Sequence, residues 1–330
     1  MSRPAHSAPA APQAPGAHPA SNLKGVLAMA VAMALYMTND TLLKLALRDL
    51  PLGESLAIRT LVAALLLLAI AAHAGDLKAM AFGLERRVMM RSGMDTATTL
   101  LYVAALGALP IASITTIYMA APLMTTALAV PLLGEKVGWK SWGAIAVGFA
   151  GAIIVTRPDP DTFSAIALLP LMAAFCGSLR DITTRGIGMQ VPGSVVGFAS
   201  SVMVTLVCLV FAAWEPWRVP SAADLAYLTG AAVAFASGTL CLVYAFRNAP
   251  VASVSPLRYL LVLGALISGY FVFGDLPDAW TTMGILLVVG AGLYALKVEH
   301  QRSRDERRAA RHAASGASVM GHAACAPPQD

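Results

Sequence analysis

Charge is scarce in this 330-residue chain, with 12% Asp, Glu, Lys or Arg against 58% hydrophobic residues. Soluble domains carry roughly a quarter charged and about half apolar residues, so a water-surrounded globule is excluded and lipid becomes the main solvent. Cysteine is equally sparse: Cys176, Cys208 and Cys241 sit in apolar runs and Cys325 near the C-terminus. With no CxxC or metal-ligand spacing, they read as small hydrophobes and exclude a disulfide framework. There is no Ser/His/Asp set, no Gly-rich phosphate loop and no His/carboxylate metal cluster; His73 and His300 lie at the ends of apolar runs. Enzyme chemistry and a cofactor are therefore not expected. The net charge of +5 is spread between apolar segments without interleaved aromatics, which speaks against nucleic acid as a partner.

What is present is a succession of apolar runs, each near the roughly twenty residues that a helix needs to cross the hydrocarbon core. The expected fold is an all-α membrane protein with ten transmembrane helices. The first half holds Leu23 to Leu47, Ser55 to His73, Val88 to Leu106, Ile111 to Leu132 and Trp142 to Val155. The second holds Phe163 to Thr184, Ser194 to Trp214, Leu225 to Phe246, Val251 to Phe273 and Trp280 to Leu296. Met1 to Ser21 is rich in Ala, Pro and His and lacks the apolar core of a signal peptide. The domain reading is accordingly a disordered tail over 1–22, five-helix units over 23–156 and 163–297, a linker over 157–162 and a basic disordered tail over 298–330. With both termini cytoplasmic, sixteen of the 23 basic residues fall on the inner side, Arg91 among them, and Arg48, Arg157 and Arg218 on the outer. That bias is the one cytoplasmic loops show, and it suits an even number of crossings in a bacterial inner membrane.

The halves repeat one another. Leu109-Pro110-Ile111-Ala112-Ser113 returns as Ala249-Pro250-Val251-Ala252-Ser253, and Gly134-Glu135 as Gly274-Asp275, both 140 residues later. Asp40-Thr41-Leu42-Leu43-Lys44 faces Asp181-Ile182-Thr183-Thr184-Arg185 at an offset of 141. A five-span unit is odd, so its second copy enters the membrane from the other side; two inverted five-helix repeats are expected. On these landmarks, with Ala121-Pro122-Leu123 and the glycine-rich run Gly143 to Gly151, the chain resembles the drug/metabolite transporter superfamily, of the ten-helix type with two EamA units. The resemblance implies a carrier of a small-molecule substrate. Asn39-Asp40, Arg180-Asp181 and Pro256-Leu257-Arg258-Tyr259 look like the branch of riboflavin and S-adenosylmethionine uptake carriers. An exporter of amino acids or other metabolites, or a non-transporting membrane sensor or enzyme on the same scaffold, are the alternatives.

Ionisable residues inside a bilayer mark pathways by default, because they are costly unless paired or wet. Tyr36, Asp40 and Lys44 share one helix face with Asn39 beside them, and Asp95, Thr98, Thr99 and Tyr102 form a second stripe. Arg180, Asp181, Thr184 and Arg185 are the inverted image of the first. The expected substrate-binding set is Arg258, Tyr259, Asp40, Asn39, Asp95, Tyr102, Tyr118, Arg180 and Asp181, with Lys44, Arg59 and Arg185 in gates or ion pairs. Alternatively, Asp40 with Lys44 and Asp181 with Arg185 are i,i+4 pairs that only neutralise each other. Arg59 is expected to pair with Glu54 or Asp40. Arg258 lies deep in its span without an acidic residue within a turn, so a substrate anion or Asp95, Asp40 or Asp181 should meet it. Ala144, Gly148 and Ala152 let neighbouring helices approach. The lipid bilayer is the other partner, and a homodimer stays open.

Overall fold

The computed structural model describes residues 19–134, 138–156, 165–187, 190–248, 254–298 and 300–301, and every regular element among them is helical. Helices satisfy their own backbone groups, which is what a chain dissolved in lipid requires. In chain order they are α1 (Pro19–Ala46), α2 (Leu52–His73), α3 (Arg86–Ala108), α4 (Ile111–Tyr118), α5 (Ala121–Leu133), α6 (Trp139–Thr156), α7 (Leu169–Arg185), α8 (Gly193–Ala212), α9 (Ala222–Asn248), α10 (Leu260–Ser268) and α11 (Ala279–Val298). Several threonine hydroxyls are satisfied inside their own helices: Thr60, Thr96, Thr116, Thr125 and Thr205 each donate to the carbonyl four residues back.

Six segments are long and apolar enough to cross a membrane: Leu23–Ala46, Leu52–His73, Ile111–Leu132, Gly193–Ala212, Ala222–Ala245 and Ala279–Val298. Trp139–Val155 and Leu257–Phe273 are shorter apolar helices. The helices α3 and α7 stand outside both sets; they carry Arg91, Asp95, Arg180 and Asp181.

Two expected spans are broken rather than continuous. Ile111–Leu132 is interrupted between α4 and α5 at Met119-Ala120, where Pro122 occupies the first turn of α5 and cannot donate to the preceding one. The segment before Phe273 runs as a 3-10 turn over Ser255–Tyr259, then α10, then a π turn over Gly269–Phe273. Gly134 and Gly274 end these two segments with φ of 68° and 72°. A left-handed residue closes a helix without steric cost only when it lacks a Cβ, and this is the physical content of the repeated glycine. Other boundaries shift by a few residues: α1 starts at Pro19 rather than Leu23, and α7 follows a 3-10 turn over Ala165–Leu168. Residues 1–18, Glu135, the 157–162 linker, the Pro250 to Ser253 copy, the Arg185 side chain and the tail from Arg302 lie outside what is described.

Packing fixes the neighbours. The long helices α1 and α9 lie against each other, as do α2 and α8, and α3 and α7; α4 and α5 reach α7, while α10 reaches α1. Between α6 and α11 the backbones nearly touch: a Cβ added to Gly151 would stand 2.8 Å from Leu287 Cβ and 3.0 Å from the Gly284 carbonyl oxygen. At Gly148 the space a Cβ would need is taken by the Leu123 side chain of α5, with Ala291 of α11 at 3.4 Å, so the expected small-residue stripe serves close approach.

Candidate functional site

The α1 stripe faces the interior, and apart from Asn39 its partners come from other helices. Asp40 accepts from the Tyr102 hydroxyl at 2.9 Å and from the Asn39 amide at 2.8 Å. Asn39 accepts from Arg59 Nε at 3.0 Å. Arg59, 4% exposed, lays its guanidinium 4.3 Å from the Phe235 ring centroid, where cation–π attraction replaces part of its lost hydration. Tyr36 shares a hydrogen bond of 3.2 Å with Thr239.

One expected pairing is corrected here and another takes an indirect form. Lys44 does not reach Asp40; it donates to the Leu109 carbonyl and sits 5.1 Å from the Phe273 ring centroid, with Arg48 at 5.2 Å on the same ring. A long flexible side chain takes the carbonyl exposed before Pro110, while Asp40 is already saturated by Tyr102 and Asn39. Arg59 does not bond Glu54, and it meets the charge of Asp40 across the Asn39 side chain that bonds both. Glu54 instead accepts from the Arg218 backbone amide at 3.0 Å, and Glu215 from that of Gly53 at 2.8 Å, tying the start of α2 to the segment after α8.

A second cluster forms where α3, α7, α8 and the 3-10 turn meet. Arg180 donates to Asp95 at 2.8 Å and to Asp181 at 2.9 and 3.1 Å. Such charge-assisted bonds stabilise a buried guanidinium only when its donors are well filled. Arg258 meets Asp181 at 3.7 Å, so an acidic partner is present, though at a distance that leaves its hydrogen-bonding fork open. Arg91, counted in the sequence among the inner-side charges, turns inward: it lies 3.4 Å from Asp95 and donates to Ser200 at 2.5 Å. Its spacing four residues before Asp95 was the signal for this role.

The clusters are joined by aromatics. Tyr102 and Tyr118 pack edge to face with centroids 5.2 Å apart, and Arg180 reaches the Tyr118 hydroxyl at 3.5 Å. A polar chain thus runs Arg59, Asn39, Asp40, Tyr102, Tyr118, Arg180, then Asp95 and Asp181, and ends on Arg258. Tyr259 stays out of it, buried with Met119, Ala152 and Val288 and with its hydroxyl unpartnered. Beside the Lys44 end lies a cleft of roughly 450 Å³, lined by Leu109, Ser113, Ile117, Asp275, Asp278 and Thr281 among others. Thr115, Ser200, Phe235 and Phe273 carried no sequence signal, because they are ordinary residues of apolar runs until packing brings them to a charge.

A family model described as the EamA-like transporter family matches residues 23–157 and again 164–296. The S-adenosylmethionine uptake transporter of Rickettsia prowazekii is 29% identical over 193 residues, 58% of this chain and 64% of that protein. The riboflavin transporter of Rhizobium johnstonii is 29% identical over 222 residues, 67% of this chain and 72% of that protein. The pseudopaline exporter CntI of Pseudomonas aeruginosa is 22% identical over 273 residues, 81% and 94%. The chain therefore spans a little under two thirds of the S-adenosylmethionine carriers it matches. A solved crystal structure has the same fold, with TM-score 0.59 and 18% identity over 85% of this chain and 99% of that one.

Proposed function

This chain belongs to the EamA-like transporter family, and on that premise we propose that it carries a small polar metabolite across a bacterial inner membrane by alternating access. It does so with ten spans in two inverted repeats, 23–156 and 163–297, and with both termini cytoplasmic. The observation that carries the reading is the polar chain from Arg59 to Arg258, which draws residues from both matched units into one interior path.

The inverted relation has further support. Both broken segments change course at positions 140 residues apart, Met119 and Tyr259, and these two side chains share one apolar cluster. Discontinuous helices at equivalent places in two halves frame transporter binding sites. Exchanging the units also maps the packing onto itself: α1 on α9 becomes α7 on α3, α2 on α8 becomes itself, and α5 on α7 becomes α10 on α1. A two-fold axis produces this reciprocity.

Charge supports the substrate class. Four guanidiniums (Arg59, Arg91, Arg180, Arg258) accompany three carboxylates (Asp40, Asp95, Asp181) in the described path, an excess of one positive charge that suits a neutral or anionic cargo with an aromatic part for Tyr102 and Tyr118. Riboflavin fits that description better than S-adenosylmethionine, whose sulfonium adds a cation. The exporter among the relatives keeps export open as the direction. The test is uptake and efflux of riboflavin, S-adenosylmethionine and an amino-acid panel in liposomes holding the full chain. Saturable movement of one compound is expected, and no movement of any would refute the carrier reading.

A further inference from the structure

Three carboxylates lie in the bodies of α1, α3 and α7, and they are held differently. Asp95 is bonded to Arg180 and lies 3.4 Å from Arg91. Asp181 is bonded to Arg180 and faces Arg258 at 3.7 Å. Adding a proton to either would break ion pairs and leave a guanidinium without its counter-charge, which a low-dielectric interior penalises. Asp40 is bonded only by neutral donors, the Tyr102 hydroxyl and the Asn39 amide. It can take or lose a proton without breaking a direct ion pair, although its charge is felt by Arg59 across the shared Asn39 amide.

Of the cations around it, Arg59 acts on it through the shared Asn39 amide, and the others are engaged elsewhere. On its own helix, Lys44 holds the Leu109 carbonyl and Tyr36 pairs with Thr239 of α9. From α2, Arg59 spends its Nε on Asn39 and its face on Phe235. From α3, Asp95 belongs to the arginine cluster, and from the 3-10 turn Arg258 faces Asp181. What α10 places against α1 at this level is Ser268, near Met37 and uncharged.

Tyr102 supplies the means of reading that proton. Its hydroxyl has two partners, Asp40 at 2.9 Å and Thr115 of α4 at 3.2 Å. When Asp40 is ionised, the hydroxyl donates to it. Once Asp40 Oδ2 carries a proton, that oxygen becomes the donor and the tyrosine hydrogen is released to Thr115. Thr115 sits on the helix whose Ala112, Ser113 and Ile117 wall the cleft beside Leu109 and Asp275, so protonation changes the bond that holds this wall. We propose that Asp40 is the proton-coupling carboxylate of this carrier and that Tyr102 transmits its protonation state to α4. The proton comes from water on one side of the membrane and returns to water on the other, so no further reactant is needed. This inference rests on the carrier reading.

The test needs no substrate. Full-length protein in liposomes is titrated from mildly acidic to mildly alkaline buffer while infrared difference spectra follow the carbonyl stretch of protonated carboxylic acids. In parallel, Ser113→Cys, in a background with the four native cysteines replaced by alanine, reports the cleft through its alkylation rate with an impermeant maleimide. A pH-dependent carboxylic acid band in wild type that is missing from Asp40→Asn is expected, together with a pH-dependent alkylation rate that becomes flat in Asp40→Asn. Tyr102→Phe should keep the band and lose the alkylation response. Persistence of both signals in Asp40→Asn overturns the assignment of the carboxylate, and an unchanged response in Tyr102→Phe overturns the transmission. Because neither readout uses transport, failure here is separate from a blank liposome panel.

Discussion

Arg180 is the side chain on which the second cluster depends, and replacing it by methionine removes its charge while keeping much of its volume. Its guanidinium is 17% exposed and bonds Asp95 at 2.8 Å and Asp181 at 2.9 Å. Removing one member of a buried ion pair costs about 3–5 kcal/mol, because the partner is left charged and unmatched. Two carboxylates are affected, but each keeps a long-range cation, Arg91 at 3.4 Å for Asp95 and Arg258 at 3.7 Å for Asp181. The expected loss is therefore at the lower end, about 3 kcal/mol. Arg180→Lys can serve only one carboxylate at a time with its single ammonium, and should lose roughly half as much. Equilibrium unfolding in mixed detergent micelles measures both. Adding Asp95→Asn and Asp181→Asn to Arg180→Met should restore part of the loss, since the three sites are coupled. If Arg180→Met unfolds within about 1 kcal/mol of wild type, the cluster behaves as a solvent-screened surface network and the argument for a buried polar path fails.

Arg258 should separate from Arg180 in the same assay. Its pairing with Asp181 is long and 27% exposed on each side, and Asp181 keeps Arg180, so Arg258→Ala should cost less than about 1 kcal/mol while abolishing uptake of the transported compound. Arg258→Lys should also lose uptake because an ammonium cannot present a planar fork; instability equal to that of Arg180→Met would assign Arg258 to structure. Gly151→Ala places a Cβ 2.8 Å from Leu287 Cβ and 3.0 Å from the Gly284 carbonyl oxygen, forcing α6 from α11 at a cost of about 1–3 kcal/mol. A wild-type unfolding midpoint for that variant would show that the two helices are not held in this contact.

Membrane residence, the all-helical character and the duplicated landmarks were legible in the sequence, because each depends on composition or on local backbone geometry. Gly134 and Gly274 illustrate this: both take the left-handed conformation that ends a helix, a demand a single residue meets without help from its neighbours. The interior facing of Asp40, Asp95, Arg180 and Asp181 was legible for a similar reason, since charge in lipid has nowhere else to go. Their partners were not. Spacing by four places Asp40 and Lys44 on one face, yet Asp40 bonds Tyr102, 62 residues away, and Lys44 takes a carbonyl 65 residues away. Helical spacing fixes which way a side chain leaves its own helix, and helix packing decides which donor waits there. Arg91 was counted among the inner-side charges and joins Asp95 and Ser200 because α3, α7 and α8 converge at that point. Likewise Tyr259, placed by its motif beside Arg258, is turned by the 3-10 geometry of Ser255–Tyr259 into the apolar cluster with Met119. Only three-dimensional packing could tell the residue that meets a charge from the one that fills the core beside it.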